Sequence, residues 1–154
     1  MIYGHCMHTS IGFMYVLEKD EKIIECGLGC PKETTVVQRM TPLILETFNE
    51  IHEFLSGDRQ TFSVPIALDG TLFQKAVWQA LREIPYGETL AYSEVATKIG
   101  NPKAMRAVGQ ACNKNPILLI VPCHRVIGKD HSLVGFGHDI SLKENLIMFE
   151  RANS

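Results

Sequence analysis

A single cysteine with a basic neighbour offers the clearest chemistry in this chain. Pro122-Cys123-His124-Arg125-Val126 follows an apolar run over residues 117–121, which predicts a buried strand ending at a loop. Thiolate rather than thiol is the nucleophile, so a thiol beside an imidazole can be tuned for attack. Sequence neighbours seldom align for a direct sulfur-to-nitrogen hydrogen bond. A bridging water between Cys123 and His124, and a carboxylate to orient the imidazole, would therefore be needed. The same residues also suit an inert buried cysteine at a strand end beside a surface histidine.

A second cluster lies just upstream. Ala104, Ala107 and Ala111 recur at spacings of three and four, with Gly109 beside them and Arg106 as the largest cation. A helical face stripped of bulk allows close approach, either to nucleic acid or to another helix. Four further cysteines stand at 6, 26, 30 and 112, giving an odd total of five. Odd count and irregular spacing argue against a disulfide framework and for free thiols in a reducing compartment. Cys6, His8, Cys26 and Cys30 are too loosely spaced to be read as a zinc set, and no metal is expected. Cys112 reads as a small packed residue and Trp78 as core.

The elements that must position these residues are legible. Residues 12–17 and 23–26 read as strands around a charged, turn-like run at 18–22. Thr41-Pro42 predicts a helix start, Ile44, Phe48, Ile51 and Leu55 share one face, and Gly57 ends the run. Asp69-Gly70 marks a turn after an extended linker. Thr71 and Gln74 make a capping box for a helix whose buried face is Phe73, Val77, Leu81 and Ile84. A short helix over about 92–99 closes at Gly100. Asn101-Pro102 predicts the start of another helix to about residue 113, and the pair reads as a helix-turn-helix. Asn115-Pro116 forces an extended exit. Ser141 and Glu144 predict a capping box for a last helix through Glu150.

The expected fold is α+β in two parts. Residues 1–68 form a small sheet with one helix, and residues 69–154 form a mostly helical part with the site. The first carries 5 Lys+Arg against 9 Asp+Glu, the second 10 against 8. Any nucleic-acid contact therefore belongs to the second part, although so small an excess does not by itself indicate DNA binding. No apolar run approaches the roughly 20 residues of a membrane span, and no leader pattern opens the chain. A soluble protein of the cytoplasm, or of the nucleus in a eukaryote, is expected.

From Phe73 to Glu150 the chain resembles the O6-alkylguanine-DNA alkyltransferases. The resemblance rests on the motif at 122–126, on Arg106-Ala107-Val108-Gly109, on Asn115-Pro116, and on Ile84-Pro85-Tyr86-Gly87 with Ala91-Tyr92. It implies a ribonuclease-H-like N-terminal part and a winged-helix-like C-terminal part. It implies irreversible, single-turnover transfer of an alkyl group from O6-alkylguanine to Cys123 after base flipping, with no cofactor. His124 and Glu150 would then be the relay, Asn115 the brace of the active-site turn, and Tyr92 the donor to guanine N3. Arg106 would fill the space of the flipped nucleotide, with Ala104, Ala107, Gly109 and Ala111 against the DNA. Backbone groups of Cys123 and Val126, with Phe136 and Gly137, would bind the base. The implied partner is alkylated double-stranded DNA, held in the minor groove largely independently of sequence by a monomer.

The chain departs from the family pattern at Phe136, where Tyr is usual, and at His138-Asp139, which replace permissive residues beside the base pocket. Asn145 stands where Trp is usual, which predicts weaker packing of the last helix. A damage-recognition module, a transcriptional regulator and a thiol hydrolase are the competing readings. The first lacks an acceptor cysteine, the second has no extra domain here, and the third would leave the helix-turn-helix unexplained.

Overall fold

The computed structural model describes residues 1–31, 35–128 and 140–154. The chain divides into two compact units, Met1–Asp69 with Pro116–Leu118, and Gly70–Asn115 with Leu119–Ser154. The architecture is α+β, a sheet plus helices, as expected.

The first unit begins with three antiparallel strands, β1 (Ile2–Thr9), β2 (Gly12–Lys19) and β3 (Lys22–Leu28). The β2–β3 turn is tighter than the charged run suggested. Glu18 and Lys19 complete β2, and Asp20 and Glu21 alone turn the chain, with φ of 52° and 62°. Left-handed residues at both central positions match the twist of a two-residue hairpin. A short β4 (Val36–Gln38) pairs parallel with β1, giving the order β3-β2-β1-β4. The outer edge of β3 is covered in two places: Ile23 bonds Pro65 and Ala67, and Cys26 bonds Pro116 and Leu118.

Helix α1 (Pro42–Ser56) is capped by Thr41, whose hydroxyl accepts from Ile44 N–H and donates to the buried Glu18 carboxylate. Such a cap is worth about 1 kcal/mol. Ile44, Phe48, Ile51 and Phe54 are buried with Met14, Val16, Ile23 and Cys26 as this unit's core. Phe54 rather than Leu55 completes the buried face, because the 3.6-residue period places position 54 further inward. One expectation fails outright: Cys6 and Cys30 form a disulfide across a separation of 24 residues. Their meeting is set by the sheet and the bend at Gly29, which linear spacing does not reveal.

The second unit opens with α2 (Leu72–Arg82), where the Thr71–Gln74 capping box forms in both directions. A two-residue strand β5 (Leu90–Ala91) leads directly into α3 (Tyr92–Lys98), and residues 99–104 connect it to α4 (Met105–Asn113). Helix α4 starts three residues later than Asn101-Pro102 predicted. Asn101 C=O accepts from Ala104 N–H across a turn, so Pro102 ends up in the connection rather than in the helix.

The predicted strand at 117–121 is also broken. Ile117 bridges β3, whereas Leu119 takes φ of 70° and turns the chain away. After a 3-10 turn at Cys123–Arg125, β6 (Val126–Ile127) pairs parallel with β5. Helix α5 (Ile140–Asn153) contains Ser141 instead of being capped by it, and it runs three residues past Glu150. Val77, Trp78, Leu81, Val95, Val108, Leu142 and Leu146 are buried in this unit's core.

Candidate active site

The β5–β6 ladder determines what meets Cys123. Leu90 pairs with Val126 and Ala91 with Ile127, so Tyr92 follows one strand directly while the cysteine turn precedes the other. Arg125 N–H donates to Pro122 C=O at 3.0 Å, closing the turn that carries Cys123. Asn115 braces the approach to it by donating from Nδ2 to Val121 C=O at 2.7 Å. Cys123 is 5% exposed.

Behind the cysteine lies a buried charge network. The Glu150 carboxylate takes His124 Nε2–H on one oxygen, and Arg125 Nε at 2.8 Å and Gly87 N–H at 3.1 Å on the other. Arg125 adds a second bond to Glu150 at 3.1 Å and donates to Ile84 C=O at 2.7 Å. Gly87 has φ of 82°, and an added Cβ would lie 2.6 Å from Ser154, so glycine alone suits this position. Burial by itself would raise the Glu150 pKa, but His124 and Arg125 hold it down to about 2. The carboxylate is therefore ionised at neutral pH.

His124 is fully buried, and burial lowers its pKa, with Arg125 and Lys143 adding to the effect against Glu150. It is thus neutral, with its proton on the nitrogen that faces Glu150. Its Nδ1 is buried and has no hydrogen-bond partner among the described residues. An unprotonated nitrogen of this kind is a base available to a nearby thiol. Burial pushes the Cys123 thiol up, opposed by a hydrogen bond from Asn115 and by the charge of Lys143. The thiol is protonated at rest and needs a base when it reacts.

Lys143 was missed in the sequence. Its side chain is fully buried, and Nζ donates to the Tyr92 hydroxyl at 3.3 Å while lying 5.5 Å from the centre of that ring. Burial lowers its pKa, whereas Cys123 and Cys112 favour the ammonium. The signal was its position seven residues before Glu150, two helical turns along the same face of α5. Burial also pushes Tyr92 up, assisted by the charges of Cys112 and Cys123 as thiolates, and pushes Cys112 itself to about 12. Asn145, whose type predicted a weakly packed last helix, is exposed. Leu142, Leu146 and Ile147 do the packing instead, and Glu150 is held in place.

The small-residue face divides between two roles. Arg106 is exposed, and Ala104 and Ala107 are half-buried. Ala111 is turned inward with Val108 and Cys112, and its carbonyl accepts from Trp78 Nε1 at 2.9 Å. The helical period buries it, which corrects its expected place against DNA. A Cβ built on Gly109 would lie 3.8 Å from the Tyr92 ring. Val126 is buried, and its N–H bonds Cys123 C=O, which leaves that oxygen a second lone pair. Phe136, Gly137, His138 and Asp139 lie outside the described residues. Cys6 and Cys30 are bonded to each other, and no metal-holding cluster of His, Cys, Asp and Glu occurs among the described residues. No helix there is long and apolar enough to cross a membrane.

Comparison with known proteins bears on this site. The family described as 6-O-methylguanine DNA methyltransferase, DNA binding domain, matches residues 72–152. The constitutive methylated-DNA–protein-cysteine methyltransferase of Bacillus subtilis (strain 168) is 40% identical over 98% of this chain and 96% of its own length. The corresponding Haemophilus influenzae protein is 50% identical over 93% of this chain and 83% of its own. The crystal structure of Mycobacterium tuberculosis OGT in complex with DNA superposes with a TM-score of 0.91 at 34% identity, covering 99% of this chain and 94% of that one.

Proposed function

The chain belongs to the methylated-DNA–protein-cysteine methyltransferase family, and from that membership we propose that it repairs O6-alkylguanine in duplex DNA by moving the alkyl group to Cys123, once per molecule. The observation that carries this reading is the buried Cys123 beside a neutral His124 that Glu150 orients.

The step balances without a cofactor. His124 Nδ1 takes the thiol proton, through a water where the geometry requires one. The thiolate attacks the alkyl carbon, a carbon–sulfur bond forms, and the carbon–O6 bond breaks. Guanine is a poor leaving group as an anion, so a donor at N3 lowers the barrier. Tyr92 is that donor. Loss of the Cys123 negative charge during transfer removes one influence that keeps the Tyr92 proton in place, while the Lys143 ammonium remains to stabilise the phenolate. The thioether is stable, so the protein is consumed.

The target atom lies inside the base stack and must be flipped out to react. Arg106, which is exposed, enters the duplex, with Ala104, Ala107 and the backbone near Gly109 allowing close approach; its exposure supports this reading. The mode that fits is a monomer in the minor groove, reading shape and phosphates rather than sequence. Helices α3 and α4 then act as a helix-turn-helix within a winged-helix-like part spanning residues 69–154. The sheet order, with β1 parallel to β4, supports a ribonuclease-H-like part over residues 1–68. The cytoplasm, or a nucleus, is where such a substrate is met.

The test is intact-protein mass spectrometry after incubation with a duplex bearing one O6-methylguanine. The expected result is a single gain of about 14 Da, the mass of one methylene, which peptide mapping places on Cys123. Bound DNA with no gain would replace this reading with damage recognition alone.

A second expectation concerns Lys143. Lys143→Met is expected to slow single-turnover transfer by about 10- to 100-fold, the worth of one charge-assisted bond in the transition state. The thermal midpoint is expected to hold or rise, because replacing a buried charge by an apolar chain of similar volume removes a desolvation cost. A rate within twofold of the parent would remove Lys143 from the mechanism.

A further inference from the structure

The five cysteines divide sharply by access. Cys26, Cys112 and Cys123 are buried, at 2%, 3% and 5% exposure, whereas Cys6 is half-buried and Cys30 exposed. The accessible two are the two that are bonded, with Cα atoms 5.5 Å apart, inside the usual range for a disulfide. Burial pushes Cys26 and Cys112 up to about 12, so neither offers a thiolate for exchange at neutral pH.

The bond also has a structural consequence. Cys6 lies within β1, and Cys30 lies just after β3, on the far side of β2 in the sheet. Gly29 takes φ of 87° and donates to Phe13 C=O at 2.7 Å, which bends the chain back over the sheet. The disulfide thus ties the chain just after β3 to β1. The reduced state is accommodated too. Cys6 Sγ lies 3.4 Å from Gly29 C=O, an acceptor for a free thiol at that place.

We propose that Cys6 and Cys30 are a reversible thiol–disulfide site, which exchanges with a small-molecule disulfide of the glutathione type and ties the end of β3 to β1 when oxidised. The Cys6 or Cys30 thiolate attacks the small disulfide, forms a mixed disulfide and releases one small thiol. The other cysteine then attacks the mixed disulfide and releases the second. Two electrons and two thiol protons pass to the oxidant, and one sulfur–sulfur bond is exchanged for another. Cys123 takes no part.

The full chain is equilibrated with glutathione over a series from fully reduced to fully oxidised, then quenched with N-ethylmaleimide and mapped by mass. At the reduced end, Cys6 and Cys30 are expected to carry maleimide. At the oxidised end both labels are expected to vanish together, the thermal midpoint to rise by several degrees, and alkyl transfer to Cys123 to be unchanged. Cys6→Ser is expected to leave one glutathione on Cys30, and Cys30→Ser one on Cys6. Maleimide on both cysteines at every ratio would overturn the proposal. So would a disulfide that persists at the reduced end, or oxidation that reaches Cys123 first. Transfer serves only as a comparison between the two ends, so its absence throughout would reject the repair reading and leave this one standing.

Discussion

Glu150→Gln is expected to cost about 3–5 kcal/mol of unfolding free energy and to slow alkyl transfer by at least about 100-fold. The two effects have different origins. Gln keeps the size of the side chain but removes the charge that compensates Arg125, which is 7% exposed and holds Glu150 through two bonds. Breaking a buried pair from one side leaves an uncompensated ion, the costly case. The rate falls because Glu150 also fixes the proton of His124 on Nε2 and so keeps Nδ1 free as a base. Substituting Arg125→Leu in the same chain should return part of the stability, because no lone charge is then buried. It should return none of the rate, because His124 stays unoriented.

Acid supplies an independent check on the same residue. Glu150 has its pKa depressed to about 2 in the folded protein, against about 4.3 in an unfolded chain. A depressed carboxyl contributes stability that is fully present above the unfolded value and lost as pH falls toward the folded one. The window is therefore pH 4.3 down to 2, with about 3 kcal/mol at stake. Chemical denaturation at several pH values should show this loss in the parent and a flatter acid limb in Glu150→Gln. Equal stability of the two proteins at pH 7, with parallel slopes below pH 4, would sink the argument.

The sequence revealed those parts of the site whose signal is local. Cys123, His124 and Asn115 fall within ten residues, and the turn chemistry of Asn115-Pro116 and Pro122 is written in residue type. Thr41 and Thr71 announced their helices because capping needs only the next three residues. What depended on distant partners was not legible. Lys143 reads as a surface lysine until Tyr92, 51 residues away, provides its acceptor. Ala111 looked equivalent to Ala107 until Trp78 occupied the side of α4 that faces it. The disulfide is hidden for the same reason, since Cys6 and Cys30 meet only after β2 and β3 have paired. Proline misled once. Pro102 suits a first helical turn, but the Asn101–Ala104 turn used it one step earlier.

Cys123→Ser is expected to abolish methyl gain altogether while leaving affinity for an O6-methylguanine duplex nearly unchanged. Serine differs by one atom at a buried position, so the turn at Cys123–Arg125 and the brace from Asn115 should survive. In the proposed reading, binding rests elsewhere, on Arg106, which is exposed, and on the half-buried Ala104 and Ala107. The chemistry does not survive, because a hydroxyl is a far weaker acid than a thiol and a weak nucleophile unless a base activates it. His124 cannot make up the difference: burial lowers its pKa, so it is a weaker base than a free imidazole. Asn115 and Lys143 favour the thiolate at Cys123, so a thiol gives up its proton to His124 far more readily than an alcohol does. Intact mass and gel-shift measurements on one preparation separate the two properties. A methyl gain that persists in the serine protein would mean another acceptor. Cys112 is the only other free cysteine in that unit, and peptide mapping would show it. Loss of both gain and binding would mean that the thiol is needed to hold the flipped base as well as to attack it, which would place the alkyl carbon against sulfur before any bond changes.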